Sequence, residues 1–258
     1  MKKIKGIDVS YCQKKLNFAE VKKTGNEFVI IRAGISTRKD TLYETNLNGA
    51  QENNLKYGFY WYSKAFDVET AKSEAKKCIE TISGTTPELP VFYDMEEQDQ
   101  LRKLTNKQRT DIIIAFCTVI KNAGYQAGVY ISPSWLLNYV DKTKILNNYP
   151  IWLAHWTGTS DVDSKYNFNQ QFWQWGVVNI GGVDVDGDVM FDYTDEYIVL
   201  KNKPLYGSAY TNTVCGKISG KYYYYDNDIV NHRRRICPNP WHIGKIPVSA
   251  NVTGWIDV

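Results

Sequence analysis

Apolar and polar residues follow two rhythms along the first 200 residues. Short runs rich in β-branched and aromatic residues predict strands at 4–9, 28–33, 57–63, 90–94, 126–131, 151–155 and 172–175. Polar–apolar segments of helical length lie between many of them. The clearest spans 105–122, where Ile112, Ile113, Phe116, Cys117 and Ile120 recur at helical spacing and form one stripe. Thr105 and Gln108 make a capping box at its start, and Gly124 follows its end. Residues 67–83 predict a similar helix, opened by Asp67 and closed before Gly84.

Repeated strand–helix units predict an α/β fold with a parallel sheet covered by helices. Seven or eight strands in about 200 residues fit a doubly wound sheet or a closed barrel. Neither a GxGxxG loop nor a Walker loop occurs, which weakens the nucleotide-binding versions. In a barrel the chemistry would sit at the C-terminal ends of the strands. Polar and aromatic residues do gather there: Asp8, Arg32, Tyr60, Tyr62, Asp94, Glu96, Tyr130, His155, Trp156 and Gln174. The texture changes after Leu200. Residues 201–208 read as a linker, and 209–258, with short β-like runs at 222–225 and 233–237, read as a small all-β barrel module.

Hydrophobic residues make up 43% and charged residues 23% of the 258-residue chain, which excludes a disordered or membrane composition. Without an apolar run of ~18 residues, no membrane insertion is expected. Residues 1–8 carry basic residues with no apolar stretch behind them, so no secretory signal is expected and the chain would be made in the cytoplasm. The net charge of +3 lies in the tail: residues 209–258 hold six Lys/Arg against three Asp/Glu, whereas 1–208 hold 25 of each. Such an excess suits an anionic wall polymer, and equally an ordinary solubilising charge. The basic cluster Arg233 to Arg235 comes without a reading helix, so nucleic acid is not an expected partner. Five cysteines, an odd number with no CxxC pair, suggest neither a zinc site nor a disulfide framework, and no cofactor is expected. Whether Cys215 and Cys237 pair stays open.

The most informative stretch is Pro90-Val91-Phe92-Tyr93-Asp94-Met95-Glu96-Glu97. On a strand, Asp94 and Glu96 would point the same way, with Cα atoms about 6.6 Å apart. Two carboxyls that close perturb each other: one tends to stay ionised while the pKa of the other rises. Glycosidic cleavage uses this division, a protonated acid for the leaving oxygen and an anion to steady the cationic sugar. The same pair would also serve a helix cap or an ion pair.

Several stretches together resemble the lysozymes of glycoside hydrolase family 25, the Chalaropsis-type muramidases. They are Gly6-Ile7-Asp8-Val9-Ser10, Gly58-Phe59-Tyr60-Trp61-Tyr62-Ser63, Pro90 to Glu96 and Phe172-Trp173-Gln174-Trp175, with 28–34, 128–132 and 151–156 between them. Each is weak alone, but their order over about 195 residues is specific. The resemblance implies an irregular (β/α) barrel with an acidic groove. It implies hydrolysis of the β-1,4 bond from N-acetylmuramic acid to N-acetylglucosamine in peptidoglycan. Glu96 would be the general acid, Asp94 would orient or stabilise, and Asp8 would be a further groove carboxylate. Because an Asp-x-Glu strand also occurs in substrate-assisted chitinase barrels, Asp94 is expected to bond the sugar's acetamido nitrogen.

The family ends its barrel with a Val-Asp whose carboxylate faces the groove. The stretch Gly182-Val183-Asp184-Val185-Asp186-Gly187-Asp188 offers several registers; Asp184 follows a Val and is preferred, with Asp188 as runner-up. The run lacks the spacing and terminal Glu of an EF-hand, so no metal is assigned to it. Sugar faces stack on aromatic rings, which makes Tyr60, Tyr62, Tyr130, Trp156 and Trp175 groove candidates, while Trp61, Trp152 and Trp173 read as packing. Arg32 is a further groove candidate; it would pair with Asp8 or a neighbouring carboxylate, a structural ion pair being the favoured role. The tail resembles bacterial Src-homology-like wall-binding modules, chiefly at Val252-Thr253-Gly254-Trp255-Ile256. The expectation is therefore a phage or prophage endolysin, with a bacterial autolysin, a non-catalytic wall-binding protein and a chitinase-like hydrolase as alternatives.

Overall fold

The computed structural model describes residues 2–13, 16–192 and the strand segments 197–199, 214–218, 221–225 and 235–236. One compact unit spans Lys3–Phe191. Its elements run β1 (Lys2–Val9), α1 (Phe18–Lys23), β2 (Phe28–Ile35), β3 (Arg38–Lys39), α2 (Tyr43–Glu52), β4 (Lys56–Tyr62) and α3 (Val68–Ile82). They continue with β5 (Val91–Asp94), α4 (Gln98–Lys103), α5 (Asn106–Asn122), β6 (Ala127–Ile131), α6 (Pro133–Asn138), α7 (Lys142–Asn148), β7 (Ile151–Ala154), β8 (Phe172–Ile180) and β9 (Val183–Asp192).

Each predicted strand and both predicted helices are present. The strand order is β1-β9-β8-β7-β6-β5-β4-β2-β3, and β1 also pairs with β2, so eight strands close on themselves and β3 hangs on the edge of β2. The strands from β1 to β8 that form the wall run parallel, but β9 returns antiparallel to β8. A closed barrel, not a doubly wound sheet, is the outcome. Its last unit is a hairpin, which the sequence reading ended too early, at Trp175. Gly181 and Gly182 make the turn with φ of +59° and +86°, the left-handed pair that a two-residue hairpin loop needs.

Side chains alternate across the barrel wall and build two cores. The outer one lies between strands and helices. There the α5 stripe is buried as predicted, and Phe116 stacks on Tyr93 of β5 with ring centroids 3.9 Å apart. Thr105 caps α5 through Gln108 N–H, and Asp67 caps α3 through Thr70 N–H. The inner core is aromatic: Phe28, Tyr60, Phe92, Trp152 and Phe172 fill the barrel with Ile4 and Ile30. Their rings meet edge-on or tilted at 5.2–5.8 Å. Room for them comes from inward glycines. A Cβ on Gly6 would stand 2.4 Å from the Phe28 ring, and one on Gly128 would stand 2.6 Å from Phe92.

A second unit includes residues 192–258. It holds β10 (Tyr197–Val199), β11 (Val214–Ile218), β12 (Lys221–Tyr225) and β13 (Arg235–Ile236), paired in that order as an antiparallel sheet. The linker 201–208, the pairing of Cys215 with Cys237 and the stretch 252–256 lie outside the described residues.

Gly128→Ala should lower stability by about 1–3 kcal/mol, the usual cost of overpacking. The urea midpoint of the full chain measures it, and an unchanged midpoint would mean that Phe92 has space to yield.

Candidate active site

The inward alternation that buries the aromatic layer brings polar residues to the next level, at the C-terminal ends of the strands. Asp8, Arg32, Tyr60, Asp94, Gln174 and Asp188 are all buried there. Strand register lines up Tyr62, Asp94 and Tyr130 across β4, β5 and β6. Gln174 of β8 stands opposite Asp188 of β9. The strand β5 ends at Asp94, so Glu96 lies not on the strand but in the connection to α4, where it is exposed.

Asp8 and Asp188 are within hydrogen-bond reach of each other. Asp8 Oδ2 accepts from Gln174 Nε2 at 2.8 Å, and Asp188 Oδ1 accepts from Trp152 Nε1 at 2.7 Å. Two ionised carboxylates have no hydrogen to share, so their closeness favours a proton held between them. Burial, then repulsion from Asp186, pushes Asp8 up to about 8, against the bonds from Gln174 and Asp188. Burial and Asp8 push Asp188 well above the carboxylate range. Asp94 is raised too, by burial first and then by Glu96 and Asp8, with Arg32 opposing. Its Oδ1 is buried without a hydrogen-bond partner among the described residues.

Glu96 keeps one side open to water. The protein on its other side still dehydrates the anion, and with Glu97 and Asp186 nearby its pKa rises. The expected split, one carboxyl ionised and one raised, is therefore replaced by a cluster in which Asp8, Asp94, Glu96, Asp186 and Asp188 are all raised. Such groups titrate as a set. At the rim the sign reverses. Glu97 is lowered by Lys64, which pairs with it, and by Tyr62 Oη–H at 2.7 Å.

Arg32 does not pair with Asp8. Its Nε donates to Asp40 Oδ2 at 2.6 Å, and Asp40 also accepts the backbone N–H groups of Tyr11 and Leu42. The Tyr11 ring lies 4.6 Å from the guanidinium carbon. Asp40 held by these donors is the better partner, because Asp8 already has Gln174 and Asp188.

Of the residues singled out in the sequence, Asp8, Arg32, Tyr60, Tyr62, Asp94, Glu96, Tyr130 and Trp156 come to the mouth. Trp156 is 58% exposed and donates to Gln174 Oε1 at 2.9 Å. Asp184 does not come to it. It is exposed near the hairpin turn, where its Oδ1 accepts from Asn179 Nδ2 at 2.6 Å, and Asp188, with Asp186 outside it, takes the inner position. Trp175 does not come to it either. It follows inward Gln174, so the alternation along β8 turns its indole to the outer face, against Gly187. Trp152, read as packing, faces inward and bonds Asp188. His155 pairs with Ser164 at 2.8 Å and packs on Tyr166.

Sequence reading missed a buried network behind the Glu96 connection. Glu74 of α3 accepts from Tyr93 Oη–H at 2.7 Å and from Lys64 N–H at 2.8 Å. Ser63 joins Tyr93, and Gln100 donates to Ser63 Oγ and to Ala65 O while accepting from Glu97 N–H. Burial pushes Glu74 up to about 7. The network ties the β4–α3 connection to the β5–α4 connection that carries Glu96 and Glu97. One partial signal for Asp188 was available: Gly181-Gly182 between alternating runs marks a hairpin, and pairing back from it brings Asp188 to Trp175, one residue short of its actual partner Gln174, the offset being the bulge.

A family profile described as glycosyl hydrolases family 25 matches residues 7–182. The autolytic lysozyme of Clostridium acetobutylicum is 30% identical over 192 residues, 71% of this chain and 55% of that protein. This chain thus spans little more than half the length of that relative. The crystal structure of the bacterial lysozyme from Streptomyces coelicolor aligns with a TM-score of 0.65 at 25% identity, covering 73% of this chain and 92% of that one. The modular autolysin LytC from Streptococcus pneumoniae, solved in complex with a synthetic peptidoglycan ligand, aligns with a TM-score of 0.64 at 25% identity, covering 73% and 47%.

The raised Asp8 and Asp188 make the fold bind protons that the unfolded chain releases near its ordinary aspartate pKa of about 4. Their contribution is full below that pH and is lost as pH rises through about 8, the Asp8 value. Asp188→Asn supplies a permanent donor to Asp8. It should raise Tm at pH 8 by about 3 °C or more, with the gain shrinking towards pH 5. Calorimetry at both pH values checks this; a lower Tm at pH 8 would sink the shared-proton reading.

Proposed function

The chain belongs to the glycosyl hydrolases of family 25, and from that premise we propose that it is a lysozyme, an N-acetylmuramidase that hydrolyses the β-1,4 bond from N-acetylmuramic acid to N-acetylglucosamine in peptidoglycan. The observation that carries the reading is the placement of Glu96. It is the solvent-facing member of a cluster of carboxyls whose pKa values are all raised, two residues beyond buried Asp94.

Glu96, its pKa raised, gives its proton to the glycosidic oxygen as the bond to C1 of the muramic acid breaks. The sugar's own acetamido oxygen closes on C1, and Asp94 accepts the acetamido N–H, which steadies the positive charge. Water then opens this intermediate at C1, giving its proton to Glu96, which is restored as the acid. Asp8 and Asp188 with their shared proton keep the floor of the mouth from adding further negative charge. Tyr62, Tyr130 and Trp156 offer rings and hydroxyls to sugar faces and edges.

Residues 1–200 supply the catalytic barrel in this reading. Residues 209–258, after the 201–208 linker, form a wall-binding module of the bacterial Src-homology-like kind, whose basic excess favours an anionic wall polymer. The whole is a phage or prophage endolysin, made in the cytoplasm and acting on the wall after release; a bacterial autolysin is the alternative.

Digestion of purified Gram-positive peptidoglycan, followed by reduction and mass spectrometry of the fragments, tests the activity. Wild type should release muropeptides with reduced muramic acid ends. Glu96→Gln should slow release by about 10²–10⁴-fold, the range for loss of a general acid. Reduced glucosamine ends would make the protein a glucosaminidase, and no fragments from wild type would make it a binding protein.

A further inference from the structure

Gln174 takes no part in the proton transfers above, yet it touches three residues of the mouth. It sits in β8 between Ala154 of β7 and Asp188 of β9 and is buried. Its Oε1 accepts from Tyr130 Oη–H at 2.9 Å and from Trp156 Nε1–H at 2.9 Å. Its Nε2 donates to Asp8 Oδ2 at 2.8 Å. An indole N–H can only donate, so the amide oxygen must face Trp156 and the nitrogen must face Asp8. A flipped amide would set N–H against N–H and strip Asp8 of its donor, at the cost of two buried mismatches.

One end of this amide therefore answers to an exposed ring, and the other to a buried carboxyl. Trp156 is the most exposed aromatic of the mouth, at 58%, whereas Asp8 is 5% exposed. A sugar face stacked on the indole restrains the ring. The restrained Nε1–H and Tyr130 Oη–H then hold the amide plane, and the amide holds Asp8 Oδ2 as an acceptor.

Resting on the muramidase reading, we infer that Gln174 is a positioning residue that couples occupancy of Trp156 by substrate to the orientation of Asp8. Glycan chains long enough to cover Trp156 are then turned over faster and not merely bound more tightly. Binding energy collected at the rim is used at the reacting centre.

The test uses the full chain with Gln174→Leu, Gln174→Glu and Trp156→Phe, the last keeping a ring but losing the N–H. Carboxyl ¹³C NMR follows Asp8, assigned by comparison with Asp8→Asn, and requires no activity. Kinetics use soluble glycan chains of two lengths. Both Gln174 variants should move the Asp8 titration midpoint upward and lower kcat by about 10-fold or more, with KM within about 2-fold. Trp156→Phe should lower kcat on long chains and leave short chains unchanged. Gln174→Glu, nearly isosteric, covers the case in which Gln174→Leu fails to fold. An Asp8 midpoint and kcat equal to wild type in a folded Gln174 variant would overturn the inference. If wild type cleaves nothing, the muramidase reading fails by itself; a shifted Asp8 midpoint would still support the Gln174–Asp8 link, and an unshifted one would remove it.

Discussion

Phe28, Phe92, Trp152 and Phe172 fill the barrel where its strands converge, and nothing beneath the mouth can hydrate a carboxylate from below. That layer depends on Gly6 and Gly128, which leave the space that the rings of Phe28 and Phe92 take. It also supplies a polar contact to the mouth, the Trp152 N–H to Asp188. The chemistry at the mouth is a consequence: acidic groups are held at the edge of an apolar plug, where ionisation is costly.

Protons, not cations, settle the charge there. Arg32 acts on the cluster from its edge, and Asp40 has taken its Nε. Its remaining influence lowers the pKa of Asp94 without cancelling burial. A few residues outward the balance changes, because Lys64 and Tyr62 reach Glu97 and keep it ionised. Glu96 lies between these regimes. It is wet enough to exchange a proton with solvent and dry enough to hold one, which is what a general acid requires.

Much of this was legible in the sequence, and the parts that were not share a cause. Runs of β-branched and aromatic residues located the strands, and Thr105 with Gln108 located the start of α5, because these signals are local. The level of Asp8, Asp94 and Tyr130 followed from the period of two along a strand. Arg32 was placed at the right height and given a neighbouring carboxylate as one of two partners; that the carboxylate is Asp40 was not legible, because it lies in the connection after β3, where periodicity has nothing to say. Glu74 sits on a helix whose polar face reads as solvent, and only the tertiary approach of Tyr93 and of the Lys64 backbone gives it buried partners. Trp175 failed although the period of two was against it: it has the parity of Trp173, and with Gln174 inward its ring must turn outward.

The error at Asp184 is the most instructive, because the right answer turns on one register. In a hairpin a slip of one residue sends every side chain to the opposite face. Asp184, Asp186 and Asp188 share a face, so alternation alone cannot choose among them; depth does. The turn at Gly181 and Gly182 pairs Ile180 with Val183, and the bulge at Gly176 then carries Gln174 to Asp188. Had β8 been followed by a helix and a parallel strand, no such pairing would exist, and Asp8 would lack both its amide donor and its carboxyl neighbour in this arrangement. The departure from a regular barrel at its last strand is thus the feature that assembles the innermost part of the site.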